Sequence, residues 1–152
     1  INKGVKMLKI LIVYYSLGGN TEKAGEIIKN YLESENVNVI MKKGTEADIN
    51  DLLECDGVII GSPDYFSYMA GGLKDFFDRT YYPSRGKVEG KPYFAFLTHG
   101  GGGKAIESIE KIASSFKFKK VVEPVLIKNS PTKDDEKRLI EAVKNFIKSI
   151  SK

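Results

Sequence analysis

Three short segments of this 152-residue chain carry residue types that hold ligands, and each directly follows an apolar run. They are Ser16-Leu17-Gly18-Gly19-Asn20-Thr21, Gly61-Ser62-Pro63-Asp64-Tyr65-Phe66 and Thr98-His99-Gly100-Gly101-Gly102-Gly103. In the first, the glycine pair permits a tight path on which successive backbone N–H groups point inward. A helical pattern opens near Asn20 and adds the positive end of its dipole. That is chemistry for an anion. Ser16, Asn20 and Thr21 supply further donors and the loop contains no Lys or Arg, so a phosphate there is held mainly by neutral hydrogen bonds. The same residues also suit a simple glycine turn with an Asn or Thr helix cap.

The second segment places Tyr65 and Phe66 where periodicity requires no buried face, so a flat ligand can stack on them; the alternative is that both rings plug the top of a sheet. Asp64 either orients a ring N–H or caps the loop. In the third, four successive glycines let a flat group lie against bare backbone. His99, the sole histidine, stands where an imidazole can donate to developing negative charge; its alternative is a satisfied loop histidine. Two common phosphate motifs are missing. A Walker loop fails because Gly103-Lys104 is followed by Ala105 and the leading position is Thr98, and a dinucleotide fingerprint fails because Gly18 is followed by Gly19 and Asn20.

The elements that must position these segments follow from periodicity. Leu8 to Tyr15 is a near-continuous apolar run, as expected of a parallel strand covered on both faces. Ala24, Ile27, Ile28, Tyr31 and Leu32 give one helical stripe over residues 20–34. Val37, Val39 and Met41 alternate in an edge strand, and Gly57 to Gly61 is a third strand. A helix marked by Leu73, Phe76, Phe77 and Tyr81 follows. Tyr93 to Thr98 is the fourth strand, succeeded by a helix striped by Ile106, Ile109, Ala113 and Phe116. The fifth, Val121 to Ile127, contains Pro124, which cannot donate to a ladder and so belongs at an edge. Leu139, Ile140, Val143, Phe146, Ile147 and Ile150 close the chain as an amphipathic helix. The expectation is an α/β fold, a doubly wound five-stranded parallel sheet in the order 2-1-3-4-5 with helices on both faces. Ligands then bind beyond the carboxyl ends of the strands, where the three segments meet. Tyr82 to Gly90 reads as a surface loop.

Length and composition suit one domain over residues 1–152, with residues 1–6 as a loose N-terminal extension. The hydrophobic content of 41% and charged content of 29% are ordinary, and no apolar run approaches the roughly 20 residues of a membrane span. The basic-then-apolar start lacks a small-residue cleavage site and reads better as a first strand, so a cytoplasmic protein is expected. Cys55, the only cysteine, excludes an internal disulfide and reads as a buried structural thiol. With one Cys and one His, no protein-built zinc site is expected, and no other metal is assigned. The net charge of +4 is spread over scattered lysines accompanied by acids, which reads as a solvated surface and not as a nucleic-acid face.

Over nearly its whole length the chain resembles the flavodoxin-like FMN proteins. SLGGNTEKA is similar to that family's phosphate loop, with Gly18 where a Thr is common. GSPDYFSYMAGGLKDFFDR, GKVEGKPYFAF and THGGGG are similar to the branch containing the WrbA-type NAD(P)H:quinone oxidoreductases and related FMN reductases. The resemblance implies that Ser16 to Thr21 hold the FMN phosphate, that Ser62, Pro63, Asp64, Tyr65 and Phe66 flank the isoalloxazine, and that Thr98, His99, Gly100, Gly101 and Gly102 contact its pyrimidine side. Losing the hydroxyl at position 18 weakens phosphate binding by roughly 1 kcal/mol.

Three functions fit that family. One is a two-electron reductase that takes hydride from NAD(P)H as a transient donor and passes it to a quinone or similar small acceptor, with His99 as its candidate catalytic residue. Another is a one-electron carrier between redox partner proteins. The third is a binding module without FMN. A homo-oligomer is compatible with each. The segment Pro63 to Phe66 lacks the glycine at which one-electron carriers of this family turn a carbonyl toward the flavin, and forcing Asp64 or Tyr65 to positive φ costs about 1 kcal/mol or more. The positive net charge eases formation of the anionic, fully reduced cofactor. Both favour the reductase. A receiver domain, a serine hydrolase and a low-molecular-weight phosphatase are excluded because their acids, G-x-S-x-G motif and first-loop Cys are missing.

Overall fold

The computed structural model describes residues 7–151; the extension expected over residues 1–6 lies outside them. The chain runs β1 (Lys9–Tyr14), α1 (Asn20–Ser34), β2 (Asn38–Lys43), α2 (Ile49–Glu54), β3 (Gly57–Tyr65), β4 (Tyr68–Met69), α3 (Gly71–Ser84), β5 (Pro92–His99), α4 (Ile106–Ser115), β6 (Lys119–Lys120), β7 (Val125–Lys128) and α5 (Lys133–Ile150). The sheet order is β2-β1-β3-β5-β6, with β7 also parallel to β5 and β4 antiparallel to β3. Allowing for the extra short strands, this is the expected 2-1-3-4-5 flavodoxin-like arrangement. Among the described residues no helix is long and apolar enough to cross a membrane.

Alternation along the strands divides the core into two layers. Ile10, Ile12, Ile59, Phe94 and Phe96 face α1 and α5, packing against Ala24, Ile28, Leu32, Leu139, Val143 and Phe146. Leu11, Val13, Val58, Ile60, Ala95 and Leu97 face the opposite side, against Leu73, Phe76 and Phe77 of α3 and Ile109 and Ala113 of α4. Because both faces are covered, the strands read as apolar runs.

The register sets the shape of the sheet's carboxyl edge. Tyr14 pairs with Gly61, and Gly61 with Phe96, but β3 and β5 continue in step until Pro63 lies beside Thr98. Strand β1 therefore stops short of its neighbour, leaving a step at the point where strand order reverses.

Helix α3 runs on to Ser84, into the loop expected over Tyr82 to Gly90, and three further departures from the sequence reading have local causes. The fifth strand is broken into β6 and β7 across residues 121–124, where Pro124 has no N–H to give to the ladder. The third strand overruns Gly61 to Tyr65 and turns back as a hairpin through Phe66 (φ 58°) and Ser67 (φ 62°). Two left-handed residues between the paired Tyr65 and Tyr68 make the turn whose twist matches a two-residue hairpin, without the Asn or Gly that normally announces it. Helix α2, too short for periodicity to show, is held at its ends. Asp48 and Asp51 form a reciprocal capping box, and Lys91 Nζ donates to the carbonyls of Leu52 and Cys55, each at 2.7 Å. Cys55 is buried behind this cap, its thiol pushed up to about 11 chiefly by desolvation, which matches an inert structural thiol.

Gly61 lies flat under the ring of Phe96, which is wholly buried; a methyl group at position 61 meets that ring directly. Gly61→Ala is expected to destabilise the fold by about 1–3 kcal/mol, read as a lower denaturation midpoint. Ser67→Gly relieves a left-handed residue while leaving its backbone N–H in place. It is expected to raise stability by about 0.5–1 kcal/mol in the same measurement.

Candidate functional site

The loop after β1 is closed by its own serine. Ser16 Oγ accepts from the N–H of Gly19 (3.1 Å) and from that of Glu22 (3.3 Å). Gly19, at φ 98°, turns the chain into α1, a conformation that costs a side chain but not a glycine. The first-turn N–H groups of a helix have no intrahelical partner. Ser16 takes that of Glu22, leaving those of Asn20 and Thr21 at the helix's positive end. Below them Thr21 and Thr98, both almost completely buried, share a hydroxyl hydrogen bond of 2.7 Å that ties α1 to β5. Tyr14 donates its phenol to Glu22 Oε1 at 3.4 Å; burial first, then the Glu22 carboxylate, push the phenol up to about 12. It therefore stays neutral beneath the loop.

A cavity of about 280 Å³ opens at the step in the sheet. Ser16, Leu17, Gly18, Asn20 and Thr21 form one wall, Pro63, Asp64 and Tyr65 another, and Thr98, His99 and Gly100 the third. All three sequence segments meet here. The remaining candidates stand off the cavity. Gly19 works from behind as the helix cap. Ser62 is wholly buried, donating to the carbonyl of Pro63 (2.7 Å) and accepting from the N–H of Ala70 (3.0 Å). Phe66 is fully exposed at the hairpin tip, and Gly101 and Gly102 are exposed in the third loop.

Asp64 is already engaged. Oδ1 accepts from the N–H of Ser67 at 2.9 Å and Oδ2 from that of Ala105 at 3.2 Å. His99 is not: its Nδ1 is buried without a hydrogen-bond partner. One lining residue escaped the sequence reading. Asn129 sits just beyond β7 in the left-handed region (φ 62°), its N–H donating to the carbonyl of His99 at 2.8 Å. The signal lay in Asn-Ser-Pro after an apolar run, since Asn tolerates that conformation better than most residues.

The fold is shared with solved structures. An archaeal flavodoxin superposes with a TM-score of 0.84 at 24% identity, covering 95% of this chain and all of that one. The rubredoxin oxygen:oxidoreductase of Desulfovibrio gigas gives 0.85 at 19% identity, covering 94% of this chain and 36% of that one. In sequence, the chain is 35% identical over 98 residues to a flavodoxin of Aquifex aeolicus, a match covering 64% of this chain and about half, 53%, of the relative. Residues 24–132 match the family described as NADPH-dependent FMN reductase. That span is most of the chain, which therefore belongs to this family of flavodoxin-like proteins, with FMN as its cofactor.

Proposed function

We propose that the chain is an NAD(P)H-dependent, two-electron reductase of quinones or similar small acceptors, acting as one FMN-binding domain. The observation that carries this reading is the juxtaposition at the sheet step. A helix N-terminus with free amides stands on one side of the cavity, and a buried imidazole nitrogen without a partner stands on the other. The residues fit FMN. Asn20 offers backbone and side-chain donors and Thr21 a backbone donor for the phosphate, and Ser16 holds the loop in shape. Tyr65 and Gly100 offer an aromatic face and a bare backbone to a flat ring. When bound, FMN supplies the hydride acceptance and delivery.

The protein's own part is binding, orientation and proton placement. Nδ1 of His99 is enclosed by the protein, so Nε2 is the ring nitrogen left to meet a ligand. The Nε2 proton is then the one that His99 can give toward negative charge developing on the acceptor side. Leu17, exposed beside the cavity, leaves an apolar approach for a planar acceptor.

The one-electron carrier draws support from the hairpin. Phe66 and Ser67 already occupy the left-handed region, so the backbone cost expected at Asp64 or Tyr65 falls elsewhere and is met in the folded chain. The two readings differ in stoichiometry. With FMN bound, steady oxidation of NADPH or NADH in the presence of a quinone, and no persistent long-wavelength band at half reduction, is the outcome expected of the reductase. A stable band with no NAD(P)H turnover selects the carrier.

The phosphate assignment has its own test. The variant Asn20→Ala, which leaves the Thr21–Thr98 hydrogen bond intact, is expected to weaken FMN about tenfold while leaving riboflavin, which lacks the phosphate, nearly unchanged. Calorimetry with both ligands measures the ratio. Equal weakening of both removes the loop as the phosphate site.

A further inference from the structure

Asp64 lines the cavity, yet both of its carboxylate oxygens are committed to backbone amides on two different segments. Oδ1 holds Ser67, the second residue of the strained hairpin turn, and Oδ2 holds Ala105, the cap residue just before α4. Ala105 offers no side-chain cap of its own, so the Asp64 carboxylate caps α4 from another part of the chain, at the end where negative charge is favoured. A second strut runs parallel. Ser108 Oγ accepts from the N–H of Met69 at 3.0 Å and donates to the carbonyl of Ala105 at 2.7 Å. Between these struts and the end of β5 lie the exposed Gly100, Gly101 and Gly102. A side chain at Gly100 or Gly101 meets open space, and the nearest group to one at Gly102 is Asp64 Oδ2, at 3.8 Å. The glycine wall is thus anchored at His99 and, through Asp64, at Ala105.

We propose that Asp64 is a positioning residue, a staple that fixes the distance between the Tyr65 wall and the Gly100 wall and so sets the width of the slot for the flavin ring. This rests on the reading of the cavity as a flavin site and adds a role at its ring end. Its signature differs from that of the phosphate loop. A slot of the wrong width penalises the ring, which FMN and riboflavin share.

The test combines amide exchange with binding in the full-length chain, for Asp64→Ala and Asp64→Asn. In Asp64→Ala the amides of Ser67 and Ala105 are expected to exchange about tenfold or more faster without ligand, while FMN and riboflavin weaken by the same factor. Asp64→Asn keeps one carbonyl oxygen, so it is expected to restore protection at Ser67 but not at Ala105 and to recover part of the affinity. Unchanged exchange at Ala105 in Asp64→Ala overturns the staple. So does a loss confined to FMN, or a loss in Asp64→Asn as large as in Asp64→Ala. Failure of the unsubstituted chain to bind either flavin overturns the flavin reading instead, and the exchange data then decide the staple alone.

Discussion

The ring of Phe96 lies over the bare backbone of Gly61 and approaches Gly25 of α1, where a methyl group falls 3.5 Å from the ring's edge. Gly61 thereby admits the buried ring, and Gly25 admits the terminal methyl of Met41 from β2, which a side chain there would meet at 2.7 Å. The first consequence is that α1 packs close to the strands. One helical turn nearer its start, the Thr21 hydroxyl then reaches Thr98, and the 2.7 Å hydrogen bond between them fixes the helix's positive end against the last residues of β5. Neither contact suffices alone. Dispersion and burial bring the helix in, and the hydroxyl pair sets its rotation, because an unpaired hydroxyl at that depth costs about 1–3 kcal/mol.

From that anchor the cavity follows from register. Strand β1 ends at Tyr14, level with Gly61 and Phe96, while β3 and β5 run on, so the loop that turns into α1 drops into the step. The cavity's polar groups are then supplied by main chain more than by charge. Net charge is +4, yet among the described residues the cavity lining includes one acid, Asp64, and no Lys or Arg. Its carboxylate is spent on two amides. Glu22, beside the loop after β1, is likewise met by the neutral phenol of Tyr14. An anion entering here is therefore selected by shape and by the direction of N–H groups, which suits a ligand carrying one terminal phosphate on a flat ring.

Much of this was legible in the sequence, and what was not had physical reasons. The span of α1, Asn20–Ser34, reads directly from its apolar stripe, because a surface helix advertises the face it buries. Helix α2 does not, since six residues contain too few turns for a stripe, and its hold comes from Lys91, far away in sequence. The hairpin after β3 was hidden for a different reason: Phe66 and Ser67 adopt backbone angles that local preference assigns to Gly or Asn. The tertiary reach of Asp64 to Ala105 and of Ser108 to Met69 accompanies that choice, and neither contact is visible in local patterning. The three segments that meet at the cavity stood out because their residue types are unusual after apolar runs. Asn129 was passed over because its contribution depends on where β7 ends, and Pro124 displaced that strand from its expected bounds.

The hairpin also links structure to electron count. Left-handed residues at Phe66 and Ser67 cost free energy that a relaxed turn does not, and such strain persists only where the surroundings hold it. Here they do: the Ser67 amide is held by Asp64, Met69 is buried, and its amide is held by Ser108. A turn held from three sides resists changing its peptide orientation between ligand states. One-electron chemistry that needs a carbonyl to turn draws on mobility in this segment, whereas a hydride acceptor needs only a fixed slot and an open face. The same conformation that removes the backbone cost of a left-handed residue thus removes the freedom to reorient. It is the second effect, backed by the local Asp64 bond and the tertiary Ser108 bond, that weighs more heavily toward the proposed two-electron transfer.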